Sequence, residues 1–202
     1  MHSKRREHLR RILKNRNIDH FIHCTPIENL ENILINGIWP RKDIEESSTV
    51  NGYITDPHRF DGNVDASCFS VQEPNLEHMR RIQKGYRDAA IIVVSVEVIL
   101  SHPCAFYPRN AAKSEFKYQS MRHWQWSDRF EEMFSGDDAR NLKDGTPMPS
   151  SWTTHADAEV LVFGKISTEH IEEVAIKDTR DLNSFKSRFP EFNFIEYLAD
   201  WV

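Results

Sequence analysis

Phe21-Ile22-His23-Cys24-Thr25-Pro26-Ile27-Glu28-Asn29-Leu30 reads as a short strand that runs straight into a helix. The strand is expected over 19–24. Thr25 is then placed as the N-cap, Pro26 at the first helical position, and Glu28 as the back-reaching member of a capping box. Leu30, Ile33 and Leu34 follow at helical spacing. Gly37 sits where a left-handed C-cap would close the helix, and Pro40 stops any continuation. Residues two apart at a strand end point to the same side, so His23 and Thr25 can face one ligand. The plainer alternative is that Thr25 is only a cap and His23 a half-buried histidine with its hydrogen bonds satisfied.

Outward from this unit, strands and helices are mixed without regular alternation, which favours α+β over a doubly wound sheet. Residues 89–96 are apolar on both faces and rich in β-branched side chains, the pattern of a buried strand. Strands are also expected at 66–71, 104–107, 158–166, 173–177 and 192–198. Helices are expected at 3–16, from Pro74 with Leu76, Met79 and Ile82, at 179–189 and in parts of 110–135. Residues 41–65 carry no periodicity and read as a long loop, a feature that is often functional in a compact domain. The chain, 1–202, is expected to form a single domain with a basic N-terminal helix in 1–17.

Composition narrows the class. With 202 residues, 39% of them apolar and 28% charged, the chain has ordinary globular character. No apolar run approaches the roughly 20 residues that span a bilayer, so no membrane association is expected. The N-terminus is basic but has no signal-like apolar core, which points to the cytoplasm. Three separated cysteines, Cys24, Cys68 and Cys104, argue against a disulfide framework or a zinc cluster and are read as small core residues. A net charge of −5 does not suit a protein that coats duplex DNA, although 4–16 and 109–129 are locally basic. No glycine-rich phosphate loop and no HExxH pattern occurs, and no metal is expected.

Three further constellations could carry chemistry. Glu159 heads the otherwise apolar strand Ala158-Glu159-Val160-Leu161-Val162-Phe163. A buried carboxylate there is costly and needs a partner, a channel mouth or a catalytic task; the alternative is the wet face of an edge strand. Arg59, in Asp56-Pro57-His58-Arg59-Phe60-Asp61-Gly62, suits bidentate binding of a phosphate, or a plain ion pair with a neighbouring aspartate. In 106–129, Phe106, Tyr107, Phe116, Tyr118, Trp124 and Trp126 are interleaved with Arg109, Lys113, Lys117, Arg122 and Arg129. Stacking platforms beside a phosphate track are what single strands require, at roughly 1–3 kcal/mol per stacked base. The alternative is a helix whose aromatic residues face the core.

Taken in order, these segments resemble the DarT family of DNA-modifying toxins. The opening block is Phe21 to Leu30 with Ile33 and Gly37. Arg59-Phe60-Asp61-Gly62 with Cys68-Phe69-Ser70 and Pro74-Asn75 is similar to the next block in the guanine-modifying branch. Asn110-Ala111-Ala112 looks like the third, and 158–163 resembles the block that carries the family's catalytic glutamate. Where the family often has Gln-Ala before that glutamate, this chain has Asp157-Ala158. The resemblance implies an ADP-ribosyltransferase fold of two small packed sheets with flanking helices and an NAD cleft between them. It implies NAD as co-substrate, transfer of ADP-ribose to a base in single-stranded DNA, and a macrodomain-type ADP-ribosylglycohydrolase antitoxin as partner.

On that reading Glu159 and Arg59 are catalytic. His23, Thr25, Asn29, Gly37 and Arg59 hold NAD, 41–65 forms a lid, and Arg109, Asn110, Lys113, Lys117, Arg122, Trp124 and Trp126 meet the nucleic acid. The chain is expected to act as a monomer. RNA as substrate, a catalytically silent binding module, and a metal-dependent nuclease are the rival readings.

Overall fold

Ala89–Ser95, the most apolar run of the chain, becomes strand β3 and is paired on both sides. It is apolar on both faces because Ala90, Ile92 and Val94 enter one core cluster while Ala89 and Ile91 enter another. The structure, a computed structural model, describes residues 2–56, 60–116, 119–136 and 145–197. On one side β1 (His20–Pro26) runs antiparallel to β3 along its whole length, from His20↔Ser95 to Pro26↔Ala89. On the other lies β6 (Ile171–Ile176), with an irregularity between Val93 and Val94, and β7 (Phe194–Glu196) adds to β6 in parallel. The remaining strands form a second group, in which β5 (Glu159–Phe163) pairs with both β2 (Ala66–Val71) and β4 (Cys104–Tyr107).

The two small sheets expected from the resemblance are joined halves of one seven-stranded order, β4-β5-β2-β1-β3-β6-β7. The seam is short: β1 and β2 pair only at Phe21↔Val71 and Ile22↔Ser70. Beyond Ile22 the two strands part, and the gap between them becomes the site.

Strand alternation divides the core. Phe21, Phe69, Ile92, Phe106 and Val160 enter one large cluster, covered by Leu9, Ile12 and Leu13 of α1 (His2–Arg16) and by Leu30, Ile33 and Leu34 of α2 (Leu30–Asn36). Phe130 of α7 (Ser127–Glu132) and Leu182 and Phe185 of α8 (Thr179–Arg188) close the same face. Alternate residues form two smaller clusters. Ile22, Cys24 and Ile91 pack under Met79 and Ile82 of α4 (Leu76–Gly85). Ala66, Ala105, Tyr107 and Leu161 pack under Phe116 and under Trp124 of α6 (Met121–Trp124). The basic α1 is thus part of the core: Arg5 donates to the Gln125 carbonyl (3.1 Å) and Arg16 lies over the Phe134 ring.

Several sequence expectations are corrected. Thr25 is not a helix cap. The β1–β3 ladder continues through Thr25↔Ala90 and Pro26↔Ala89, and this tertiary pairing overrides the local capping signal. A 3₁₀ turn, Ile27–Asn29, precedes α2, and Glu28 instead accepts the Arg87 backbone N–H (3.2 Å). Residues 41–65 are not wholly loop, because they contain α3 (Arg41–Glu46). A short helix, α5 (Glu97–Ser101), follows β3, where its run of buried Val98, Ile99 and Leu100 gave no separate helical period.

Candidate active site

Consecutive strand residues point to opposite faces, so a cavity lined by consecutive residues must lie between strands. The cleft here, about 370 Å³, is lined by residues 22–25 of β1 and 66–70 of β2. It occupies the split beyond the seam. His23 Nδ1 and the Cys68 carbonyl oxygen, 2.9 Å apart, form a hydrogen bond across the split, and the His23 ring lies against Phe69. Because the acceptor is a carbonyl, Nδ1 carries the proton.

The floor is held by Asn29. Its amide donates to Thr25 Oγ1 (3.0 Å) and to the Tyr53 carbonyl (3.0 Å), while its Oδ1 accepts from the Tyr53 backbone N–H (2.6 Å). Asn32 donates to the Asn51 carbonyl (2.7 Å), and the Tyr86 hydroxyl to that of Ile54 (3.2 Å). The segment 50–56 is therefore strapped over one side of the cleft. Tyr53 is 56% exposed and meets Tyr86 edge-on, and Phe60, 69% exposed, also lines the mouth.

Glu159 enters from the opposite side. It is the first residue of β5, directly across from Tyr107 of β4. Asn110 donates its amide to Oε1 (2.7 Å), and the Ala111 backbone N–H donates to Oε2 (2.9 Å). Burial pushes the Tyr107 hydroxyl up to about 12, with the carboxylates of Asp61 and Glu159 adding to the effect, so it remains protonated. Burial alone would raise the carboxyl of Asp157, but the hydrogen bond from Lys113 and the nearby Arg109 outweigh it and hold the group below the usual aspartate range. The pairs are Arg109 Nε–Asp157 Oδ1 (3.3 Å) and Lys113 Nζ–Asp157 Oδ2 (3.2 Å).

The structure therefore brings His23, Thr25, Asn29, Gly37, Asn110 and Glu159 to one cleft. Gly37 has a structural reason of its own. Its φ of +86° and ψ of −176° are not the expected left-handed cap but a region nearly confined to glycine. A Cβ there would lie 2.1 Å from the Ile166 carbonyl oxygen, where Ile38 and Ile166 bridge.

The residues expected to meet nucleic acid lie in several different settings. Asn110 turns to Glu159, and Arg109 and Lys113 are paired with Asp157. Trp124 is 5% exposed and stacks on Tyr107, so it belongs to the core, whereas Trp126 (55% exposed) and Arg122 face outward. Arg59 and Lys117 lie outside the described residues. Cys24 and Cys104 are buried as read, with thiols pushed up to about 12 by burial, but Cys68 is half-exposed at the cleft.

Missed from the sequence were the role of Asn110, the Asp157 pairs and His78 in the cleft wall. The first had a legible signal: an asparagine followed by two small residues just beyond a strand is a turn that can present its amides.

A split, mainly antiparallel sheet with a clamped glutamate facing the cleft across from His23 fits the ADP-ribosyltransferase fold that the sequence resemblance implies. The sequence model described as ssDNA thymidine ADP-ribosyltransferase, DarT, matches residues 22–197, and the chain belongs to the DarT family. Solved structures agree in fold. Thermus sp. 2.9 DarT in complex with NAD+ aligns with a TM-score of 0.57 at 16% identity, covering 90% of this chain and 96% of that one. The same protein in complex with ADP-ribosylated ssDNA gives 0.58 at 15% identity, covering 90% and 95%. Thermosipho africanus DarTG in complex with ADP-ribose gives 0.60 at 17% identity over 88% of this chain, which spans about half (49%) of that one. No curated protein sequence matches it.

Proposed function

We propose that this protein is an NAD-dependent ADP-ribosyltransferase of the cytoplasm that modifies a base in single-stranded DNA. The observation that carries the reading is the placement of Glu159, with both oxygens held, at a cleft between diverging strands. The cleft suits NAD: its volume is in the range of small-molecule sites, and its wall mixes apolar side chains with many polar ones, His23, Thr25, Asn29, Ser67 and Arg41 among them.

NAD supplies a ribose carbon that becomes positively charged as nicotinamide departs with the bonding electrons. Glu159 stabilises that charge, accepts a hydrogen bond from the neighbouring ribose hydroxyl, and takes the proton that the attacking base releases. His23, Thr25 and Asn29 hold the adenosine or nicotinamide-side ribose. Arg59 anchors phosphate or steadies the incoming base. The strapped segment 50–56 excludes water as part of the lid. The attacked base must leave its stack, which favours single-stranded substrate, and the exposed Tyr53 and Phe60 offer apolar faces beside the mouth.

Guanine is the proposed acceptor, on the resemblance of Arg59-Phe60-Asp61-Gly62 and Cys68-Phe69-Ser70 to the guanine-modifying branch, although the matching family description names thymidine. The biological role proposed is that of a toxin paired with a macrodomain-type antitoxin; DarTG is the name of one structural relative.

The test incubates the purified chain with labelled NAD, EDTA and separate single-stranded DNA and RNA oligonucleotides, with Glu159→Ala as control. Label on DNA that disappears in the variant is expected, and mass spectrometry then identifies the base. Label on RNA alone would change the substrate, and label on neither would sink the reading.

A further inference from the structure

We propose that the turn at Asn110 and Ala111 is a positioning clamp for Glu159, which grips both carboxylate oxygens and fixes the side chain in the orientation in which it acts, so that Asn110 is a positioning residue and not a contact to nucleic acid. The inference rests on the catalytic role proposed for Glu159. It starts from register. The pairing Tyr107↔Glu159 sets the end of β4 beside the head of β5, so the chain leaving β4 must pass the carboxylate. Successive residues of that chain then use it fully: the side-chain amide of Asn110 reaches Oε1 (2.7 Å) and the backbone N–H of Ala111 reaches Oε2 (2.9 Å).

The clamp is itself fixed. Asn110 Oδ1 accepts the Ala112 backbone N–H (3.0 Å), which locks the amide with its N–H groups toward Glu159. Arg109 and Lys113, flanking the turn, bind the two oxygens of Asp157, two residues ahead of Glu159. One aspartate thus ties both ends of the turn to the strand that carries the glutamate. A glutamate has three rotatable side-chain bonds and ordinarily loses their freedom only when substrate arrives. Here the ordering precedes substrate.

Charge acts in the same direction. Hydrogen bonds donated to a carboxylate favour its ionised form. Other titratable or charged groups at this corner, among the described residues, include Tyr107 on β4, Asp61 ahead of β2, Asp157 on the segment entering β5, Arg109 and Lys113 on the turn, and His23 across the cleft. The two cations Arg109 and Lys113 are engaged with Asp157. Asn110 and Ala111 each donate directly to the Glu159 carboxylate and so favour its charged form.

The test uses the full chain with Asn110→Ala and the near-isosteric Asn110→Asp, each shown to be folded by its melting transition. Three quantities are measured: kcat and KM for NAD across a pH series, and the titration of Glu159 by carboxyl carbon-13 NMR without NAD. Asn110→Ala is expected to lower kcat about 10- to 100-fold, the usual effect of removing an orienting partner. KM for NAD should change less than about threefold, and both the acid limb of the rate profile and the NMR midpoint should move to higher pH. Asn110→Asp, which sets a second carboxylate against Oε1, should move them further. A merely structural residue would change the melting transition and leave the acid limb and the Glu159 midpoint where they are; that outcome in Asn110→Asp overturns the proposal. The NMR titration decides the clamp even if the wild-type chain transfers nothing, a result that would count against the function alone.

Discussion

His23 Nδ1 and the carbonyl oxygen of Cys68 stand 2.9 Å apart across the split between β1 and β2, just past the last ladder pair, Ile22↔Ser70. One hydrogen bond thus holds the mouth of the cleft at its width while strand pairing ends behind it. His23→Ala removes it and leaves a strand carbonyl without its partner. KM for NAD is expected to rise about tenfold or more, with a stability loss of about 1 kcal/mol. His23→Asn, whose amide can reach the same carbonyl, should recover most of the stability and less of the NAD affinity. Calorimetric NAD titration beside urea denaturation separates the two effects; equal recovery of both would count against a ligand role for the imidazole.

Glu159→Gln keeps the shape of the side chain and removes its charge. Stabilisation of charge developing in a transition state is commonly worth about 10²- to 10³-fold in rate, so kcat for transfer should fall by that order while NAD still binds. Single-turnover measurement with saturating NAD and an oligonucleotide checks this. A variant with full turnover would remove Glu159 from the chemistry.

Trp124 and Trp126, two residues apart in a sequence that reads as one stacking stripe, should separate completely in effect. Trp124 stacks on Tyr107 with ring centroids 4.9 Å apart and meets Phe116 edge-on, whereas Trp126 is 55% exposed. Trp124→Ala should cost about 3–5 kcal/mol of stability through the cavity it leaves. Trp126→Ala should leave the melting temperature within a degree or two and weaken single-strand binding, by roughly 1–3 kcal/mol if a base stacks on it. Melting curves and fluorescence anisotropy with an oligonucleotide give both numbers.

Gly37→Ala forces a Cβ to within 2.1 Å of the Ile166 carbonyl, at a φ of +86°. Neither the backbone oxygen nor the Ile38↔Ile166 bridge can yield cheaply. A destabilisation of at least about 2 kcal/mol is expected, with loss of NAD binding only in proportion to unfolding. An Ala variant as stable as wild type in thermal denaturation would show that the 37–38 segment relaxes.

The difference between what was legible in the sequence and what was not follows from the range of the forces involved. β3 announced itself because both of its faces are buried, and α4 because Leu76, Met79 and Ile82 repeat at helical spacing. Glu159 stood out because a carboxylate heading an apolar strand demands a reason. Thr25 misled, because its capping signal is local and the pairing that overrides it, Thr25↔Ala90, joins residues far apart in the chain. In the aromatic and basic stretch 106–129, the places of Trp124, Arg109 and Lys113 were hidden for the same reason. Only strand pairing decides that Trp124 turns under β4, and that Arg109 and Lys113 meet Asp157, roughly half a hundred residues downstream. The strand order of the two half-sheets left no periodic mark either, nor did the two-pair seam that opens the cleft.

His78, in the wall of the cleft, supplies a pH dependence. Burial holds its imidazole below the usual histidine range; nearby Arg81 pushes the same way, and Asp56 and the hydrogen bond to the Cys24 backbone oppose them only in part. On acidification the unfolded chain therefore takes up a proton at this position before the folded protein does, so stability declines as pH falls. The contribution is fully present above the ordinary histidine value of about 6.5 and is lost progressively below it, until the folded imidazole also protonates. His78→Gln should be less stable than wild type at pH 8, through lost packing, and should show a shallower fall between about pH 6.5 and 5. Urea midpoints taken across that interval test it: parallel slopes for the two proteins would assign the acid sensitivity to other groups.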